Sequence, residues 1–427
     1  MLQIIKRGPP SAVLAREHEE ATRQATRLDH PVERSLNLAF IVGRALSQPR
    51  GRVLKSIFGE RGSLRTRNTL QNASMGQPVV CEGDLLVPWS RGVKIVARAV
   101  LPQWALVLPY FRDDVWTAPP RLGGPDLYPS EAWFFVNGIC TNQAVARANA
   151  QQLSDLFKRP IRLLYNRTDG LVLDLLECAV GKAFDKVTDG ARNCLISLLD
   201  ALCDPKVKRV VLVSHSQGTI LSAVILKTLE EALLKKEGRY SFTMPRRAGK
   251  RVSPERRAAR KLMKRREQDP ALHEALSKLQ RDDIGKLELY CFANCATSME
   301  PFVAMTDSHC PPRHAPWIES YGNECDLVAQ LGMLSPAHGL GSTRILGDRY
   351  ERKGAWGHLL NAHYLVPLKK ELQTDQGTLL EPFHDNLRTT PRLHEYLDGK
   401  SPDSYWMCTP DYKRSPFVER GNVAPLA

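Results

Sequence analysis

Residues 210–219 read Val210-Val211-Leu212-Val213-Ser214-His215-Ser216-Gln217-Gly218-Thr219. Four consecutive apolar residues, three of them β-branched, are the pattern of a strand buried on both faces, as in a parallel sheet. A helical apolar pattern follows at once, over residues 219–234. A strand that turns into a helix through Ser-His-Ser-Gln-Gly is a nucleophile elbow, Gly-x-Ser-x-Gly, with Ser214 at the first glycine. The turn is so tight that only small residues fit two before and two after the central serine. Ser214 and Gly218 satisfy that demand, and Ser216 should present an exposed hydroxyl at the tip. The stretch Asn72-Ala73-Ser74-Met75-Gly76 has a similar spelling, but no strand precedes it and no apolar helix follows.

Outward from the elbow, strands and helices alternate. Trp133-Phe134-Phe135-Val136 reads as a short buried strand, 144–157 as a helix, 161–165 as a strand and 191–202 as a helix. Beyond the elbow helix, 287–292 and 317–319 are further strands. Such alternation predicts an α/β fold, a mostly parallel sheet with helices on both faces. Short β-rich pieces at 79–110, broken by Pro88 and Pro102, predict antiparallel strands ahead of it. The expected organisation is a helical or partly disordered extension at 1–75 and a first half of the α/β domain at 76–234. A basic helical insertion follows at 235–285, then the second half at 286–370 and a C-terminal extension at 371–427.

The 427 residues are 43% hydrophobic and 25% charged, ordinary values for a globular protein. No apolar run reaches 18 residues, and the best stretch, 171–180, carries Asp174 and Glu177, so no transmembrane helix is expected. The first ten residues lack the apolar core of a secretory signal, and the ten cysteines are scattered without a Cys-x-x-Cys pair. Reduced thiols in a cytoplasmic protein are the expectation. Of the net charge of +14, residues 235–281 hold +11, with 16 Lys and Arg against 5 Asp and Glu. Arg256-Arg257, Arg260-Lys261 and Lys264-Arg265-Arg266 recur at helical spacing along one side. The segment reads as a solvated mobile loop, a cap over the site, or a docking face for an anionic membrane surface. It lacks the interleaved aromatics that nucleic-acid binding would use.

An earlier strand ends in Val136-Asn137-Gly138-Ile139. In acyl-transfer sites one oxyanion donor is the backbone N–H after the nucleophile, and the other comes from the loop after an upstream strand. Those donors would be Gln217 and Ile139. At this point the chain resembles the α/β-hydrolase superfamily, over roughly 131–234 and 286–366. More narrowly it resembles a group of fungal-type lipase/esterase-like serine hydrolases. The phrases that carry the likeness are Phe-Val-Asn-Gly-Ile at 135–139, Leu-Tyr-Asn-Arg-Thr-Asp-Gly at 164–170 and Ser-His-Ser-Gln-Gly at 214–218. Gly-Asn-Glu-Cys-Asp at 322–326 and Gly-His-Leu-Leu-Asn-Ala-His-Tyr at 357–364 complete the set.

That resemblance implies the chain order nucleophile, acid, base. Asp326, in the loop after the late strand, is then the acid, with Glu324 its close competitor, Glu319 inside the strand, and Glu300 or Asp307 the candidates one strand earlier. An aspartate in front of the apolar run Leu327-Val328-Ala329 also reads as a plain helix cap. His358, preceded by Gly357, is the base, with His363 the alternative. His338 leaves little room for another strand, and His215 should point away from the nucleophile. Ser216, His358 and Asp326 would form an acyl-enzyme on a carboxylic ester, the substrate being a small-molecule or lipid ester. No His-Glu-x-x-His, phosphate loop or dinucleotide fingerprint occurs, so no metal and no cofactor are expected. A non-catalytic binding protein on the same fold, or an acyltransferase with the same residues, would carry the same sequence signals.

Overall fold

The computed structural model describes residues 55–56, 115–118, 128–138, 141, 143–166, 183–238, 254–299, 315–335, 343–373 and 380–402. Among the described residues ten strands follow one another. They are β1 (Val115–Ala118), β2 (Glu131–Val136), β3 (Ile161–Leu164), β4 (Arg209–His215), β5 (Leu287–Phe292), β6 (Ser298–Met299), β7 (Trp317–Asn323), β8 (Arg344–Ile345), β9 (Asp348–Arg352) and β10 (Leu380–Pro382). Eight of them form one sheet in the order β1-β3-β2-β4-β5-β7-β9-β10, while β6 and β8 pair separately. From β3 to β9 every pairing is parallel, and only the edge strands β1 and β10 run antiparallel. The chain is thus α/β with a mostly parallel sheet.

The apolar run of β4 explains its central place. Val210, Val211, Leu212 and Val213 are all fully buried, because β2 and β5 pair on either side and helices cover both faces. The connection from β2 through α1 (Gln143–Phe157) to β3 runs one way along the sheet. The connections from β3 through α2 (Ala183–Leu202) to β4, and from β4 through α3 (Gln217–Lys236) to β5, run the other way. Right-handed crossovers therefore put α1 on one face and α2 and α3 on the opposite one. Between β2 and β4 the direction of winding reverses, which opens a crevice at their carboxyl ends.

The basic insertion is packed rather than loose. Its described part forms α4 (Pro254–Arg265), α5 (Pro270–Lys278) and α6 (Arg281–Ile284), and α4 lies against α3 and α2. Ala258, Ala259 and Leu262 bury the apolar side of α4, and this cover leaves residues 217–234 of α3 buried on every side. Arg256 and Arg260 reach the Glu231 carboxylate at 3.4 and 3.5 Å. Arg257, Arg260, Lys261 and Lys264 face solvent. The solvated-loop reading therefore fails for 254–285, because alanines and a leucine at helical spacing give the segment a face to bury.

Of the C-terminal extension expected at 371–427, residues 380–402 pack onto this domain. β10 closes one sheet edge, and a 3₁₀ helix at Arg392–Gly399 docks with Leu393, Tyr396 and Leu397 buried. Arg392, almost fully buried, donates to Glu288 at 3.1 Å, and Tyr290 and Tyr396 donate to the same carboxylate at 2.7 and 2.6 Å. The antiparallel strands expected at 79–110 lie outside the described residues, as does nearly all of 1–75. Among the described residues no helix is long and apolar enough to cross a membrane.

Glu319 sits in the middle of β7 with no exposure, accepting from the Tyr321 hydroxyl and from the Arg392 and Leu393 backbone at 2.6 and 3.2 Å. Burial outweighs those donors and pushes its carboxyl up from 4.5 to about 7. Native Glu319 therefore holds a proton that the unfolded chain has lost, and its contribution to stability disappears as pH rises from about 4.5 to about 7. Urea unfolding of wild type and Glu319→Gln at pH 5 and pH 8 should show wild type losing stability relative to the variant, by up to about 3 kcal/mol. A difference that stays constant with pH would contradict a neutral Glu319.

Candidate active site

Ser216 lies at the carboxyl end of β4, where the winding reverses, and is the first turn residue before α3. Its backbone sits at φ 55° and ψ −127°, a conformation that side-chain-bearing residues rarely adopt. The turn is clamped from three directions. The Ser216 N–H donates to the Phe292 carbonyl at 3.0 Å, and its carbonyl accepts from the Thr219 N–H and hydroxyl at 2.8 and 2.7 Å. Gly218 passes so near β2 that a Cβ there would stand 2.6 Å from the Val136 carbonyl oxygen. Ser214 is buried under the turn and donates its hydroxyl to Cys291 Sγ at 3.4 Å. Ser216 itself is only 1% exposed, so the hydroxyl expected to stand free is enclosed by its neighbours.

His358 reaches it from the loop after β9. Its Nε2 is 3.0 Å from Ser216 Oγ, and its Nδ1 is 2.9 Å from Asp326 Oδ2. Asp326 is wholly buried; its Oδ1 accepts from Val328 N at 2.8 Å and its Oδ2 from the Tyr364 hydroxyl at 2.6 Å. A carboxylate that only accepts requires a proton on His358 Nδ1, which leaves Nε2 as the acceptor for the serine hydroxyl. The two readings of Asp326 coexist: one oxygen caps α7 (Leu327–Gln330) and the other orients the imidazole.

The competing residues fall elsewhere. Glu324 accepts from Gly354 N at 2.6 Å and holds a turn. Glu319 is committed to Tyr321 and the 3₁₀ helix. His363 lies behind Gly357, its Nδ1 accepting from Leu359 N at 2.9 Å. Gly357 is required by its φ of 100° and by a Cβ that would lie 2.5 Å from the His363 ring. Glu300, Asp307 and His338 lie outside the described residues.

His215 packs against His358 rather than against the nucleophile. Its ring lies 4.6 Å from that of His358, centroid to centroid, and its Nε2 is 2.8 Å from the His358 carbonyl oxygen. Burial, reinforced by the nearby His358, holds this imidazole well below its ordinary titration range, so it stays neutral and donates to that carbonyl. Of the expected oxyanion donors, Gln217 opens α3 beside Ser216, where helix N–H groups and the helix dipole favour negative charge. Ile139 lies outside the described residues, but Gly138 before it is packed with its Cα side 2.6 Å, as a Cβ would be placed, from Ser216 Cβ.

Sequence reasoning missed the groups that brace these residues. Asn137 Oδ1 accepts from Asn166 N at 2.8 Å, Asn137 Nδ2 donates to the Asn166 carbonyl at 3.0 Å, and Asn166 Nδ2 donates to Gln217 Oε1 at 2.9 Å. This mesh ties the ends of β2 and β3 to the elbow. Ser56 Oγ accepts from Leu327 N at 2.7 Å, one residue past Asp326, and Lys55 lies over the Trp356 ring at 4.4 Å. Asn137 and Asn166 stood in phrases already singled out, whereas nothing local marks Lys55 or Ser56. Among the described residues no group of three His, Cys, Asp or Glu side chains could hold a metal ion.

No protein-family model matches the chain, and no curated protein matches it.

The packing at Gly218 is steric, whereas Gly354 has a φ of 66° with open space around it. Gly218→Ala should therefore cost several kcal/mol, because a strand carbonyl cannot yield, while Gly354→Ala should cost only about 1 kcal/mol of backbone strain. Urea unfolding of both variants measures the difference. Equal costs would mean that the turn is looser than its geometry.

Proposed function

We propose that the protein is a serine hydrolase of the α/β-hydrolase type that cleaves carboxylic esters through an acyl-enzyme on Ser216. One observation carries this reading: an unbroken hydrogen-bonded chain from Ser216 Oγ through His358 to buried Asp326, placed at the winding reversal of a parallel sheet. A serine alone at a strand-to-helix turn is an ordinary feature. A serine whose hydroxyl faces an imidazole nitrogen, with a carboxylate on the far side of the ring, has no structural need for that arrangement.

In this mechanism His358 Nε2 takes the Ser216 proton as Oγ attacks the carbonyl carbon, and Asp326 stabilises the imidazolium that forms. The carbonyl oxygen becomes an oxyanion. The Gln217 N–H receives it, and the sequence assigns the N–H of Ile139 as second donor, each contributing on the order of 3 kcal/mol to the transition state. The imidazolium then hands its proton to the leaving alkoxide, and the alcohol departs. Water enters, gives a proton to the same imidazole, attacks the acyl carbon and releases the acid with Ser216 restored. The constrained elbow backbone supports the step by holding Oγ within hydrogen-bond reach of His358 Nε2.

Hydrolysis of p-nitrophenyl esters of increasing acyl length by the full chain tests the proposal. Wild type should turn over, Ser216→Ala should be inactive, and His358→Ala and Asp326→Asn should lose about 10³-fold or more in kcat. Circular dichroism should show all three folded. Activity that survives Ser216→Ala would exclude this mechanism.

A further inference from the structure

The chain after His358 makes one wide π turn, Leu360–Leu365, an uncommon element found most often at functional sites. It sets His363 behind Gly357 and brings the next residue, Tyr364, against Asp326. Tyr364 is 3% exposed, and its ring lies edge-on to Phe292 and His215 at 5.8 and 6.2 Å. Its hydroxyl accepts from Asn323 N at 3.2 Å and donates to Asp326 Oδ2 at 2.6 Å, the same oxygen that accepts from His358 Nδ1. Two donors thus compete for the charge on one carboxylate oxygen.

Resting on the reading of Ser216, His358 and Asp326 as a catalytic triad, we propose that Tyr364 is a positioning residue that weakens His358 as a base by drawing charge from Asp326. Packing alone would be served by phenylalanine, since Asp326 already has Val328 N and His358 Nδ1 as donors. The phenol is a permanent donor: burial and the adjacent Asp326 charge hold it well above its ordinary range. The other titratable groups around the pair are accounted for. His215 faces His358 from the elbow and is neutral, and His363 is engaged with Leu359 N. Arg352 of β9, which acts on Tyr364, is paired with Glu371 of α8 (Val366–Gln373).

The test is the rate at which a fluorophosphonate labels the full-length chain as a function of pH, for wild type and Tyr364→Phe. The reagent needs no knowledge of the substrate, and its rate follows the fraction of His358 able to accept the serine proton. With the hydroxyl gone, Asp326 stabilises the imidazolium more strongly, and the midpoint should move to higher pH by about half a unit to one unit. A midpoint that stays put or falls, with or without a slower rate at every pH, overturns the proposal and leaves Tyr364 as packing. A wild-type Ser216 that is not labelled at all overturns the triad reading itself and this inference with it. A second measurement needs no variant. In wild-type NMR spectra the Tyr364 hydroxyl proton should exchange slowly and show a cross-peak to the His358 Nδ1 proton, and absence of that contact would also overturn the proposal.

Discussion

The carboxyl edge of the sheet is organised around one backbone residue, Ser216, held at φ 55° between β4 and α3. Such a conformation costs on the order of 1–3 kcal/mol and persists only where the surroundings over-determine it. Here they do. β5 supplies an acceptor for the Ser216 N–H, Thr219 closes the turn from within α3, and β2 leaves no room for a side chain at 218. Each neighbour is itself rigid: β2 and β5 pair with β4 along its length, and α3 is covered by α2 and α4. The eight-stranded sheet and its helices thus supply the stiffness that keeps one hydroxyl in an unrelaxed place.

Asp326 imposes the second constraint. A carboxylate with no exposure is costly unless every oxygen is engaged, and three donors meet that need from three parts of the chain. One comes from α7, one from His358 and one from the π turn. The same donors fix the imidazole tautomer, so solvation of the buried charge and orientation of the proposed base are a single arrangement. His215 adds a neutral ring face to His358 and anchors its backbone. The elbow therefore contributes two adjacent residues to the site, Ser216 to the reacting end and His215 to the support of the histidine.

The central strand and its turn were legible because they are local. An apolar run ending in small residues has few other meanings, and the bounds of β5 were read to the residue. Asp326 and His358 were legible through their chain order and the phrases around them. The bracing residues were not, since Tyr364, His215 and Ser56 act through space and look like ordinary members of a helix, a strand and a polar stretch. The packing of residues 380–402 onto the sheet was not legible for a similar reason. β10 has three residues, and the 3₁₀ helix that follows is rich in charge, yet Arg392 enters the protein because Glu288 waits for it at the base of β5. A polar sequence hid a buried partner. In α4 the arginines masked the alanines and leucine that seat it on α3.

The central claim is that Ser216 becomes acylated. Mixing the full-length chain with p-nitrophenyl acetate, quenching in acid within the first turnover and mapping the peptides by mass spectrometry tests it directly. One acetyl group per chain is expected, on the peptide containing Ser216, appearing together with a stoichiometric release of p-nitrophenol. Acetyl found only on lysines or the amino terminus, with Ser216 unmodified, would contradict it.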